Sequence, residues 1–364
     1  RDEAGNGMPD GQYAVELEVV YRNGNRPVAE SAPFYLDTAY PQVAVGSEVR
    51  LFSPDGDGRL DVLEVQQSSS EEDVWEGRLE SVGGEVVRRL YWKERVSDFG
   101  WDGSDENGNR VVDGQYRYVV KAEDRAGNVT EQQLGGIRVD TRATPVFMTV
   151  STNAFSPNGD GVKDGIELRP NVKVNEEIGS WKLGVVHKSE GQVKVIEGRG
   201  RVPEGVSWDG KAESGVIVEG VYVARLEVEY EKGNRSEAES TSFSVDLTAP
   251  SAYVTAEGEV FSPNGDGNKD VMGFTQESSA EGLWEGVLVD AEGREVKRET
   301  WRVQVDSEYV WDGRDAEGVP TPDGQYAYFV VATDAAGNVG RSEEVTFDLD
   351  TRLTPVLVST DLVY

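Results

Sequence analysis

FSPNGDG, residues 155–161, packs a proline, two glycines, an asparagine and an aspartate into seven residues. That density of turn chemistry suits neither a helix nor a strand interior. The stretch recurs as FSPDGDG at 52–58 and as FSPNGDG at 261–267. Each copy is followed by WDG (101–103, 208–210, 311–313), then by Asp/Glu-Gly-Gln/Val-Tyr, then by Asp-Thr/Leu running to a proline. The closing prolines Pro41, Pro145, Pro250 and Pro355 stand 104, 105 and 105 residues apart, the length of one immunoglobulin-sized module.

Between these landmarks the hydrophobic period is two, as in Tyr116–Glu123 and Tyr222–Tyr230, where β-branched and aromatic residues alternate with charges. Further strand-like runs occupy 43–51, 62–66, 74–79, 85–92 and 128–139, divided by Gly, Asp and Asn clusters. No comparable run has helical spacing with caps. Roughly seven short strands per unit predict an all-β chain of tandem Ig-like, fibronectin III-like antiparallel β-sandwiches. The spacing places modules at 42–144, 145–249 and 250–354. Residues 1–41 match the back part of a module, Arg1–Tyr13 aligning without a gap to Arg314–Tyr326, and are expected to lack the strands that close a sandwich. Residues 355–364 align with the start of the middle unit and read as the first strand of a further module, so the chain reads as part of a longer array. Linkers such as Asp140-Thr-Arg-Ala-Thr-Pro145 are short and end in proline, which limits freedom between modules and predicts an extended rod.

The net charge is −32, from 68 Asp plus Glu against 36 Lys plus Arg. A polyphosphate or an anionic membrane would be repelled over most of such a surface, while divalent cations are its natural counter-charge. The absence of cysteine removes disulfides and thiol nucleophiles and fits the surface or exterior of a bacterium. No apolar run long enough to span a bilayer and no signal-peptide pattern is present in these residues.

FSPNGDG, WDG, PDGQY and the Ala-Glu/Thr-Asp-Arg/Ala-Ala-Gly-Asn segments at 122–128 and 332–338 together resemble the Ig-like domain of the bacterial flagellar hook-capping protein. They are also similar to repeats of gliding-motility-associated and outer-membrane-anchored surface proteins. The resemblance implies a non-catalytic sandwich module of scaffolds, stalks and surface arrays. It implies a bacterial cell-surface, extracellular or periplasmic location, and partners that are neighbouring modules of the same chain, with surface proteins or glycans beyond them. The middle unit departs from the pattern: Glu219-Gly-Val-Tyr replaces Asp-Gly-Gln-Tyr, and Tyr230-Glu-Lys-Gly-Asn replaces the Ala-Xaa-Asp segment.

The repeated loop has two readings. Residues 156–167 put oxygen side chains at positions 1, 3, 5, 9 and 12 with glycine at 6, close to the spacing of a helix–loop–helix calcium loop. A loop wrapped on a hard cation turns alternate side chains inward, and glycine relieves the bend. The ligands would be Asp55, Asp57 and Asp61, then Asn158, Asp160 and Asp164, then Asn264, Asp266 and Asp270. Against this, position 1 is serine, position 12 is Glu64, Glu167 and then Gly273, and no helices flank the loop. The other reading is a turn in which Asn and Asp bond their own backbone.

Asp102 and Asp105 could pass for an acid–base pair, but the middle copy reads Trp208-Asp-Gly-Lys-Ala-Glu, so Asp-Gly is read as a hairpin turn with the tryptophan in the core. The recurrence of Trp75 with Trp284, and of Trp92 with Trp301, likewise favours core packing over a sugar-stacking stripe, and Trp181 sits in a similar stretch. His187, the only histidine, reads as an ordinary surface or strand residue. The chain is therefore expected to be a structural array rather than an enzyme, with an adhesive or carbohydrate-binding array as the alternative.

Overall fold

The computed structural model describes residues 2, 4–353 and 355–358. Every regular element among them is a β-strand. Three separate hydrophobic clusters, spanning Phe52 to Val139, Val146 to Val245 and Val254 to Leu349, form the cores of three sandwiches.

In the first of these, one sheet orders Phe99–Trp101, Leu63–Ser69 and Val43–Gly46, and the other orders Leu51–Phe52, Val129–Val139, Gly114–Glu123, Glu72–Ser81 and Val86–Glu94. The long strand Gly114–Glu123 alternates because one face looks inward: Tyr116, Tyr118, Val120 and Ala122 are buried while Gln115 and Glu123 are exposed. The 43–51 run, read as one strand, divides. Val43–Gly46 pairs with Leu63–Ser69, and Leu51–Phe52 crosses to the other sheet, where it pairs in parallel with Arg138 and Val139. This short parallel contact recurs at Ala154–Phe155 and Val260–Phe261, and it delivers each phenylalanine of the FSP motif into the core. The last strand is continuous in the first module, and is broken in the other two into Arg235–Glu239 with Phe243–Val245 and Val339–Arg341 with Val345–Leu349.

Residues 11–36 form two small antiparallel pairs, Gly11–Tyr13 with Phe34–Leu36 and Glu16–Glu18 with Val28–Glu30. Val15 and Leu17 are 59% and 60% exposed, whereas Tyr328 and Val330, their counterparts in the third module, are 1% and 0% exposed. No second sheet covers this hairpin among the described residues. Of the segment expected to begin a further module, 359–364 lie outside the described residues, and 355–358 are exposed and carry no strand.

Candidate functional site

The repeated motifs meet one another in space. Phe52, Phe155 and Phe261 stand 5.6, 5.7 and 5.4 Å from the rings of Trp101, Trp208 and Trp311. The prolines that follow, Pro54, Pro157 and Pro263, lie so close to the WDG glycines that a Cβ on Gly103, Gly210 or Gly313 would come within 2.7, 2.8 or 2.7 Å of a proline Cγ. Those glycines also hold φ of 71°, 80° and 75°, in the left-handed region. FSP and WDG thus form one lock, closed by indole N–H groups donating to the carbonyls of Ser104, Lys211 and Arg314.

The other two landmarks pair as well. Tyr116, Tyr222 and Tyr326 each donate a hydroxyl to the carbonyl four residues upstream. Asp113 accepts from the amide and hydroxyl of Thr141, and Asp323 does the same for Thr351. In the middle unit the longer Glu219 reaches Leu247 N and Thr248 Oγ1 instead, which accounts for that departure.

The lock anchors the acidic loop. Asp61 accepts from the amides of Gly56 (2.7 Å) and Gly58 (2.8 Å), and Asp164 and Asp270 hold the equivalent glycines in their loops. Asp57, Asp160 and Asp266 each accept from the amide two residues on, and Asp55, Asn158 and Asn264 do likewise. In the first loop one oxygen from each of Asp55, Asp57 and Asp61 lies within 4.8 Å of the others. In the second and third, an amide replaces one carboxylate, and Asn158 and Asn264 donate to Asp160 (3.0 Å) and Asp266 (3.1 Å). Ser53 donates to Asp55, while the hydroxyl of its fully buried counterpart Ser156 has no partner. Position 12 drops out of the calcium pattern. Glu167 is held by Arg169 at 2.8 and 2.6 Å, and Glu64 lies on a strand opposite Gly100.

The first and second loops belong to a larger feature, the joint with the following module. Asn128 donates to the carbonyls of Asp37 (3.1 Å) and Ala39 (3.4 Å) in the linker before its module, and Asn338 donates to that of Asp246 (3.0 Å). Asp124 and Asp334 orient these amides, each accepting from its asparagine Nδ2 at 2.8 Å. The middle unit has Tyr230 at that position, buried and bonded to Val174 O, so its joint is rebuilt. There Asn234 donates to Asp55 of the preceding loop, and Lys232 inserts its ammonium between Asp140 Oδ1 (3.1 Å) and Arg142 O (2.6 Å). Lys232 and Asp140 are 2% and 4% exposed. Burial disfavours the Asp140 charge, but hydrogen bonds from Arg142 and Lys232 outweigh it and hold the carboxyl well below the ordinary carboxylate range. The recurrent Gly-Asn of 127–128, 233–234 and 337–338 was the sequence signal for this joint, and it persists in the middle unit where the aspartate does not.

The remaining candidates are consumed by structure. Asp102 is held in its turn by Ser104, and Asp105 by Asn109 and Asn107; these bonds keep both carboxyls below their usual range, the opposite of a proton donor. His187 is a strand residue but not a surface one. It is buried against Tyr222 at 4.7 Å, its Nδ1 accepts from Glu190 N, and a Cβ on Gly220 would strike its ring. Trp75, Trp101, Trp208, Trp284 and Trp311 are buried in the cores. Trp92 and Trp301 are half-buried over Gly77 and Gly286, where any Cβ would collide with the indole and with the Tyr118 or Tyr328 hydroxyl. In the middle module the pairing is inverted, with Trp181 over Gly198. Trp181 lines a recess with Lys182, Glu197, Arg199 and Glu229.

The family model of the FlgD Ig-like domain matches residues 58–126 and 258–336, in the first and third modules. This bears out the resemblance read from the motifs. Similar solved structures include a tetra-tandem repeat from the extending region of a large adhesion protein, with 19% identity over 94% of this chain and 82% of that one and a TM-score of 0.34. They also include a bacterial ice-binding adhesin, 12% identical over 87% of this chain and 100% of that one with a TM-score of 0.36. Fibronectin(III)-like modules of Clostridium thermocellum CbhA are 14% identical over 58% of this chain and 100% of theirs, with a TM-score of 0.32. No curated protein matches the chain.

Proposed function

We propose that this chain is a non-catalytic spacer, a stalk or scaffold segment of a bacterial surface or secreted protein whose modules are held end to end. The observation that carries this reading is the clamped linker. Lys232 with Asp140 at one junction, and Asn338 with Asp246 at the next, tie a linker to the module beyond it. At the second junction the backbone of Gly340 also packs directly on Pro250. Contacts on both sides of a proline-ended linker remove the torsional freedom that would let modules fold back. Small-angle scattering should give a rod-like distance distribution, and a compact particle would sink the reading.

Calcium in the loops is part of this proposal. The donors are oxygens only, as a hard cation requires, and the carboxylates that already accept one amide per oxygen keep a second lone pair on each. The partnerless Ser156 hydroxyl supports the same reading. Residues Asp55, Asp57 and Asp61, and their counterparts Asn158, Asp160, Asp164, Asn264, Asp266 and Asp270, would hold the ion, whose charge would offset repulsion within an acidic chain.

Adhesion is the second reading, favoured by the recess that Trp181 lines with Lys182, Glu197, Arg199 and Glu229. Glycan-array binding by the full chain that is lost in Trp181→Ala would support it, and no binding to any glycan would remove it.

A further inference from the structure

In the first loop, the backbone of Arg59 and the side chain of Leu60 press on Gly233 of the next module: a Cβ there would come within 2.8 Å of Arg59 O and 2.9 Å of Leu60 Cβ. In the second, Val162 Cγ1 stands 3.1 Å from the equivalent point on Gly337, and Lys163 Nζ donates to Ala335 O at 2.7 Å. Gly233 and Gly337 hold φ of 99° and 101°, so the turn needs glycine for its backbone as well as for the contact. Asn234 and Asn338, the residues that follow, touch Asp55 and Asn158 of the same loops. Two different module pairs thus make one contact: the second half of a loop receives the Gly-Asn turn of the module after it.

The third loop has the same form without that contact. Gly265 and Gly267 donate to Asp270 at 2.7 Å each, and Lys269 holds the left-handed φ of 55° seen at Leu60 (47°) and Lys163 (50°). Its side-chain hydrogen bonds among the described residues stay within the loop. Asp350-Thr351-Arg352 beside it repeats Asp140-Thr141-Arg142, down to the aspartate–arginine pair at 2.7 Å.

We propose that the FSP(D/N)GDG loop is a socket for the Gly-Asn turn of a following Ig-like module, and that the third loop with Asp350 is a preformed docking surface for one more such module. The fitting partner is of the middle kind, with a lysine before Gly-Asn, because the Asp350–Arg352 pair reproduces the one that receives Lys232. The proposal goes beyond the spacer reading, since an array without sockets would still space its ends.

The test compares three equivalent amides, Arg59, Val162 and Asn268, which donate to the loop aspartate at 2.8, 2.7 and 2.8 Å. With internal bonding matched, differences in hydrogen exchange report docking. In the full chain Asn268 should exchange about fivefold faster than Arg59 and Val162 after correction for sequence. Gly337→Val should raise Val162 to the Asn268 rate and leave Arg59 unchanged. Lys163→Met, which leaves the turn itself untouched, should do so in part. Joining a copy of residues 145–249 after residue 354 should slow Asn268 to the level of the other two, and Lys232→Met in that copy should reverse the effect. Equal exchange at all three amides in the unmodified chain, or an unchanged Asn268 beside an appended module that melts cooperatively, would overturn the socket.

Discussion

Gly313 shows how much a single residue decides here, because its backbone conformation and its neighbour both exclude a side chain. Its φ is 75° and a Cβ would sit 2.7 Å from Pro263 Cγ. Gly318 holds a φ of 78° with open space around it. Gly318→Ala should therefore cost only backbone strain, about 1 kcal/mol, and Gly313→Ala about 2–3 kcal/mol, since overpacking adds to strain. Urea unfolding of the two variants measures the difference, and equal losses would mean that the proline contact contributes nothing. The turn chemistry of WDG and the burial of its tryptophan were legible in the sequence, because glycine and tryptophan each have few uses between strands. That Phe52 packs on Trp101 and Pro54 on Gly103 was not, since a contact across about fifty residues leaves no periodic trace. His187 is on a strand, one of its two sequence readings, but its burial was not legible: an alternating run does not say which face is inward at its end.

At the scale of the element, the asparagine and aspartate turns of the acidic loop are present in all three copies, and three carboxylates meet in the first. Spacing alone extended the calcium pattern to position 12, but the strand that follows the loop carries Glu167 to Arg169 rather than to the loop. A helix after the loop would have brought it back. With position 12 outside the ligand set, the order of affinities follows the carboxylates: the first loop, with three, should bind calcium most tightly, and the second and third should be alike. Terbium luminescence of the full chain should lose its tightest phase in Asp57→Asn, and a weaker phase in Asp160→Asn or Asp266→Asn. A site filled at a hundredfold excess over its Kd adds about 2.7 kcal/mol to its module, so chelation should lower the melting temperature. No luminescence and an unchanged melt in chelator would leave the loops as turns. The strands themselves were well marked by period two, apart from the 43–51 run, where a change of sheet cannot be told from a continuous strand by composition.

For the whole molecule the deciding interaction is the pair at the first junction, because it places opposite charges between two modules out of water. Removing one member leaves the other uncompensated, so Asp140→Asn should destabilise the junction by about 3 kcal/mol, whereas pairing it with Lys232→Met should recover most of the loss. The pH dependence has a definite sign. Asp140 is depressed below its ordinary value of 3.8 in the folded chain, so its contribution is complete above that pH and is lost as pH falls towards the folded value. Each pH unit below 3.8 should remove about 1.4 kcal/mol of the wild-type advantage over Asp140→Asn, and neutral to mildly alkaline pH should leave it unchanged. Differential scanning calorimetry of the two chains between pH 2 and 8, in steps of about one unit, follows that gap. A gap that stays constant, or widens on acidification, would show that the Asp140 carboxylate does not hold the junction, and the stiffness of the array would then rest on the proline linkers and the remaining contacts between modules.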